Sequence, residues 1–217
     1  MTIDHRTRHQ RLRAMSPRLR NRLILLAILS PFVLFFLAGR YLINPWELPR
    51  VNKGQLIIPH VQIAALALTD GNGAPYDAKD TAGKWSLLYI AGAHCDTACK
   101  NGLYYQMRQV RRTLGDDAPR VRRIVVLTST PDAGLRQFLD DNVAGMVEVH
   151  GQQSILREAL APVYKPKPST PVGDIFVVSP DGQIFLRYPT HEDMDATLKE
   201  AENIRLDLTR TLKGSLI

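Results

Sequence analysis

Leu23–Gly39, LILLAILSPFVLFFLAG, runs for seventeen residues without a charge, directly after a segment holding seven arginines (Arg6, Arg8, Arg11, Arg13, Arg18, Arg20 and Arg22) and one acid, Asp4. At about 1.5 Å per residue the run spans roughly 25 Å, enough for a hydrocarbon core of about 30 Å once Arg22 and Arg40 snorkel. Pro31 is tolerated inside such a helix, and Tyr41 supplies an interfacial ring. A cleaved signal peptide would also start basic, but FFLAGRYLINPW offers no convincing A-x-A site. The reading is an uncleaved single-pass anchor in a lipid bilayer. The arginine excess before the span places the N-terminus in the cytoplasm and the rest of the chain beyond the membrane, in a bacterium the periplasm outside the inner membrane.

Charge tempts one toward nucleic acid, since the net value is +7. Setting aside the seven arginines and Asp4 leaves 21 basic against 20 acidic side chains. The remainder is close to neutral, so no basic groove and no nucleic-acid partner are implied.

Hydrophobic patterning divides the chain into a basic tail (1–22), a transmembrane anchor (23–43), a linker (44–60) and a folded domain (61–217). NPWELPRVNKGQLIIPH carries three prolines and no helical period, hence the linker. VQIAALALTDGNGAPYDAKD reads as a short apolar run and a turn, a β-hairpin. KWSLLYIAGA and RRIVVLTS are continuous apolar runs, the mark of buried strands. Between them Leu103, Met107, Val110 and Leu114 keep the spacing of an amphipathic helix. Further helices are expected over DAGLRQFLDD, QQSILREALAPVY and about 192–212, and a brief strand over GMVEVHG. The last helix carries a stripe of Met194, Leu198, Ala201, Ile204 and Leu208. IFVVSPDGQIFLRY must be an antiparallel pair, because a two-residue turn cannot make a parallel crossover. The fold class is α/β: one transmembrane helix, then a central mixed sheet flanked by helices.

Both cysteines, Cys95 and Cys99, lie in AGAHCDTACKNGLYY, where a strand tip meets a helix start. Amide N–H groups and the helix dipole favour negative charge there, which lowers a thiol pKa. Cys99 shares a helix face with Leu103, so the two sulfurs can point the same way. That suits reversible disulfide formation or joint coordination of a soft metal such as Cu(I). A static structural disulfide is the third reading. Tight zinc binding would want four ligands, and the chain has no other cysteine. His94 stands next to Cys95 and either tunes the thiolate, donates a nitrogen to a metal, or faces solvent. His150 and His191 lie near strand ends. Pro171, just ahead of a buried strand, is a candidate cis-proline that would bring backbone close to a facing loop. Asp174, at that strand's start, is either buried or faces water.

GKWSLLYI, HCDTAC, VVSPDGQI and the anchor together resemble the thioredoxin-like superfamily over about residues 60–213. Within it, the chain is similar to Sco/SenC-type cytochrome c oxidase assembly proteins. The resemblance implies a thioredoxin-like domain in which Cys95 and Cys99 take the place of the family's copper-binding, redox-active pair. It implies Cu(I) as cargo and a respiratory oxidase subunit, or another periplasmic thiol protein, as partner. Two departures stand out. Asp96 and Lys100 occupy positions after each cysteine where the family usually has proline. Eleven residues before Gly182, where the family carries its distal histidine, stands Pro171. A copper site would therefore recruit His94, His150 or His191 as third ligand. The Thr170–Pro171 pair resembles instead the cis-proline of thiol-disulfide oxidoreductases, an enzymatic role in which Cys95, Cys99 and Pro171 would form the site.

Overall fold

The computed structural model describes residues 16–42, 51–164 and 169–215. It divides into two units, Met1–Val51 and Asn52–Ile217. Most of the basic tail, and linker residues 44–50, lie outside the described residues.

In the first unit one helix, α1 (Pro17–Leu42), contains the uncharged run. It starts before the run, taking in Arg18, Arg20 and Arg22, so part of the expected tail is helical. Over Pro17–Arg40 its best window has a mean hydropathy of 2.3, and none of that window is buried within the protein. Phe32, Phe35 and Phe36 are all exposed. Among the described residues this is the one helix long and apolar enough to cross a membrane.

The second unit is an eight-stranded mixed sheet. Its strands are β1 (Gln55–Gln62), β2 (Leu68–Thr69), β3 (Pro75–Tyr76), β4 (Trp85–Ala91), β5 (Val121–Leu127), β6 (Val147–His150), β7 (Asp174–Val178) and β8 (Gln183–Pro189). They lie in the order β1-β8-β7-β4-β5-β6-β2-β3. β4, β5 and β6 run parallel, while β7 and β8 pair antiparallel as their short turn demands. β1 corrects the linker reading. From Gln55 the supposed linker is an edge strand on β8, and its pairing is interrupted between Leu56 and Val61, around Pro59. A proline inside an apolar run reads as a breaker, yet an edge strand tolerates it where the ladder is already irregular. The expected hairpin exists as β2 and β3, though Ile63–Leu66 forms a 3-10 turn ahead of it, and a single-turn helix, α2 (Ala78–Thr81), follows it.

Alternation on the central strands assigns the two faces. Leu87, Tyr89, Val125, Leu127, Ile175 and Val177 point to one side. They meet the helical segment after the cysteines, α5 (Ala133–Asn142) and α7 (Met194–Gly214). Leu88, Ile90, Ile124, Val126, Phe176 and Val178 point to the other, against the 3-10 turn and α6 (Gln153–Ala159). Each such side chain contributes about 1.5–3 kcal/mol by leaving water, which is why uninterrupted apolar runs became the central strands.

Arg123 breaks this alternation. It is 8 % exposed, and its guanidinium donates to the carbonyls of Val143 (3.3 Å) and Ala144 (2.8 Å), just past the C-terminal end of α5. A cation there complements the negative end of the helix. Burial, with Arg111 and Arg108 nearby, pulls its pKa below the usual arginine value. In α7 the predicted stripe is only partly core. Ile204, Leu208 and Leu212 are buried, but Met194 and Leu198 are exposed, and in the first turns the covered residue is Thr197, which accepts from Asn101.

Candidate functional site

β4 is driven through the core by its apolar residues and ends at Ala91, where Gly92 to Asp96 form a loop. The chain then enters α3 (Thr97–Asn101), a π-helical stretch (Gly102–Gln109) and α4 (Val110–Thr113). Asp96 caps α3, its Oδ1 accepting the Cys99 N–H at 2.8 Å. This alters the expectation for Cys95, which precedes the cap. A carboxylate is a stronger acceptor for those N–H groups than a thiol, so Asp96 and not Cys95 holds the helix end.

Cys95 and Cys99 form a disulfide with Cα atoms 5.1 Å apart. Cys99 is 5 % exposed and belongs to the core cluster with Tyr89 and Leu103, while Cys95 is half-buried at the rim. Cys99 is thus covered and Cys95, ahead of the cap, is the more exposed of the pair.

Beside the disulfide lies a polar cavity of about 320 Å³, lined among others by His94, Asp96, Cys99, Thr170, Asp174 and Arg187. Asp174 is 6 % exposed, which settles its orientation. Its carboxylate accepts from Arg187 Nε (2.7 Å) and Nη2 (3.1 Å) and from the Tyr164 hydroxyl. Arg187 also stacks over the Tyr164 ring at 4.7 Å. Burial and then Asp174 push the Tyr164 phenol well above its ordinary pKa. The Tyr89 phenol is raised likewise, by burial and then by Asp96 and Asp174. Two carboxylates therefore act on the floor of this cavity. Nothing in the local pattern of the sequence announces the Tyr164–Asp174–Arg187 network, since its members come from three separate elements.

Of the three histidines, only His94 borders the cavity with Cys99. Its ring is exposed, with Nδ1 2.7 Å from Asp132 Oδ2. Asp132 caps α5 through the Leu135 N–H, and that bond, followed by the one to His94, holds its carboxyl below the usual range. A carboxylate on one ring nitrogen fixes the imidazole and leaves Nε2 for another partner. His150 lines a different pocket, with Thr69, Thr128 and Gln152. His191 contributes its backbone carbonyl, which accepts from Asn101 and Thr197. Among the described residues no group of three or more His, Cys, Asp or Glu stands ready to hold a metal ion.

Pro171 corrects a further expectation. The cis bond among the described residues is Ile58–Pro59, not Thr170–Pro171. The turn into β7 is made instead by Gly173 at φ +92°, whose N–H donates to Ile90 O at 2.9 Å. Pro171 is buried, and Thr170 rather than Pro171 lines the cavity.

Thr190 holds the site together, its Oγ1 donating to Gly173 O at 2.6 Å. Gly102, immediately after α3, lets the cysteine helix approach it. A Cβ at Gly102 would fall 2.4 Å from Thr190 Cγ2. Gly102→Ala is therefore expected to lower stability by about 1–3 kcal/mol despite alanine's better helix propensity. A thermal melt checks this, and an unchanged or raised midpoint would show that the contact relaxes freely. Asn101 donates to the carbonyls of His191 and Glu192, and Gln106 to Pro189 O, fastening the same helix to the end of β8. π-type turns recur at functional sites.

Residues 85–215 match the family described as transmembrane-like, thioredoxin-like, C-terminal domain. The chain belongs to that family. Among solved structures, this thioredoxin-like domain is similar to apo Sco1 from Thermus thermophilus, with a TM-score of 0.53 at 17 % identity, covering 76 % of this chain and 99 % of that one. Yeast Sco1 with copper bound gives 0.49 at 16 %, covering 77 % and 97 %. A thiol:disulfide interchange protein from Bacteroides sp. gives 0.47 at 14 %, covering 76 % and 93 %. At these identities the likeness is one of fold. No curated protein matches the sequence.

Proposed function

We propose that this chain is a membrane-anchored thioredoxin-like factor whose Cys95–Cys99 pair exchanges thiols and disulfides with a client outside the cytoplasm. The observation that carries it is the asymmetric disulfide beside the cavity, with Cys95 half-buried and Cys99 covered. In the reduced chain the Cys95 thiolate attacks a client disulfide and releases one client thiolate. Cys99 then attacks the Cys95 sulfur, releasing the second and regenerating the disulfide. The Sco-like fold supports a client among the thiols of a copper-receiving site, such as a respiratory oxidase subunit during assembly. The apolar helix α1 and the arginines before it support a single-pass anchor with the domain on the periplasmic side.

A second reading, Cu(I) carriage, draws on His94 and Asp132. The reduced pair would offer two thiolates, and His94 is the imidazole bordering the same cavity. Two measurements on the reduced chain separate the readings. Reduction of a model protein disulfide is followed with copper chelated, and Cu(I) competition against a chromophoric chelator is run on wild type, Cys95→Ser, Cys99→Ser and His94→Ala. The expected result is metal-independent turnover lost in both cysteine variants, with copper held no more tightly than by an exposed dithiol. Tight one-to-one copper binding that all three substitutions weaken, without turnover, would replace exchange by carriage. Absence of both activities leaves a static disulfide.

A further inference from the structure

Asp96 stands where a carboxylate opposes a thiolate, and this bears on the direction in which electrons flow. Its Oδ1 accepts the Cys99 N–H at 2.8 Å, a donor that would otherwise be open to a reduced sulfur. Its own side chain is exposed, but it lines the same cavity as Cys99, together with the buried Asp174. The charge of Asp174 is already matched by Arg187, whereas that of Asp96 has no cationic partner within ion-pair distance among the described residues. Lys100, exposed on α3, and the His94–Asp132 pair are the other charged or titratable groups around the loop. Burial first, and then Asp96 and Asp174, raise the Tyr89 phenol, which lines the same cavity, above its ordinary pKa.

A dithiol couple becomes oxidising when its reduced form is stabilised, and reducing when it is not. We propose that Asp96 is a positioning and tuning residue that denies the reduced sulfurs their local stabilisation, and so makes this chain an electron donor to client disulfides. The inference rests on the exchange reading above. It gives the substrate class as a protein disulfide more oxidising than the Cys95–Cys99 couple. Two electrons and two protons pass to the client, its S–S bond breaks, and the Cys95–Cys99 bond forms. Return to the dithiol requires a second protein dithiol as reductant.

The test is the equilibrium of the full-length chain in detergent with dithiothreitol redox buffers, scored by alkylation of free thiols. Asp96→Ser keeps a side-chain cap on α3 but removes the charge, and Asp96→Glu restores the charge. Wild type is expected to remain oxidised in glutathione buffers and to titrate only in the more reducing dithiothreitol range. Asp96→Ser should shift the equilibrium toward the dithiol about five- to tenfold, a tenfold change corresponding to about 30 mV, with Asp96→Glu near wild type. An Asp96→Ser equilibrium within twofold of wild type, or a wild-type pair that glutathione reduces, would overturn the proposal. Neither outcome depends on a client. Failure of the exchange reading shows separately, as absent turnover on a protein disulfide by a pair whose potential behaves as stated.

Discussion

Cys99→Ser is expected to abolish multiple turnover and to leave the chain covalently joined to a disulfide substrate through Cys95. Cys95 is half-buried and the more exposed of the pair, whereas Cys99 is 5 % exposed within the core cluster. Attack by Cys95 needs only the first sulfur, so the mixed disulfide forms at full rate. Its resolution needs a second thiolate held beside the first, and serine is no substitute because a hydroxyl does not ionise in this range. Non-reducing electrophoresis and mass spectrometry after mixing with a model protein disulfide would read a stable adduct, released by added dithiol. Cys95→Ser should form none. If the adduct appeared with Cys95→Ser instead, the exposed and covered roles would be reversed. If neither variant formed one, the pair would not exchange with proteins at all.

Asp207→Ala should be the most destabilising single change away from the cysteines. Asp207 is 4 % exposed on α7, and its Oδ2 accepts from Lys53 N (2.7 Å), Gly54 N (2.9 Å) and the Tyr188 hydroxyl (2.7 Å). Arg210 donates to Oδ1 at 3.3 Å. This carboxylate ties the entry of the domain to its last helix. Gly54 is the residue that permits the approach, since a Cβ there would fall 2.4 Å from the Tyr188 ring. Burial and Asp207 hold the Tyr188 phenol far above its usual pKa, so it stays a donor throughout the accessible range. Alanine would leave the buried Tyr188 hydroxyl and the buried Gly54 amide without an acceptor, at a cost of about 3–5 kcal/mol. Thermal or denaturant unfolding measures it, and Asp207→Asn, which keeps one acceptor oxygen, should lose less. A loss below about 1 kcal/mol would mean that water replaces the carboxylate and that the tie is dispensable.

What was legible beforehand follows from how each signal is encoded. Periodicity is local, so β4, β5, β7 and β8, the helix after the cysteines and α7 appear where the apolar pattern places them. β1 was hidden because Pro59 interrupts its pattern, and a strand paired along one irregular edge needs little regularity. The stripe on α7 shows which face of the helix is apolar and not which of its residues are covered, and Met194 and Leu198 are exposed.

At the site the same division holds. The sequence by itself determined that two thiols lie four residues apart between a strand tip and a helix, behind a seven-arginine tail and an uncharged span. Chain connectivity imposes those facts, and no packing can undo them. Only the tertiary structure decided which sulfur is covered, that His94 borders the cavity while His150 does not, and that Asp174 is buried against Arg187 and Tyr164. It also decided that the turn ahead of β7 bends at Gly173, and that Asp96 holds the helix end beside the cysteines. These depend on residues brought together from distant elements by sheet order and register, and on competition between acceptors for the same N–H groups. Neither leaves a mark in local spacing.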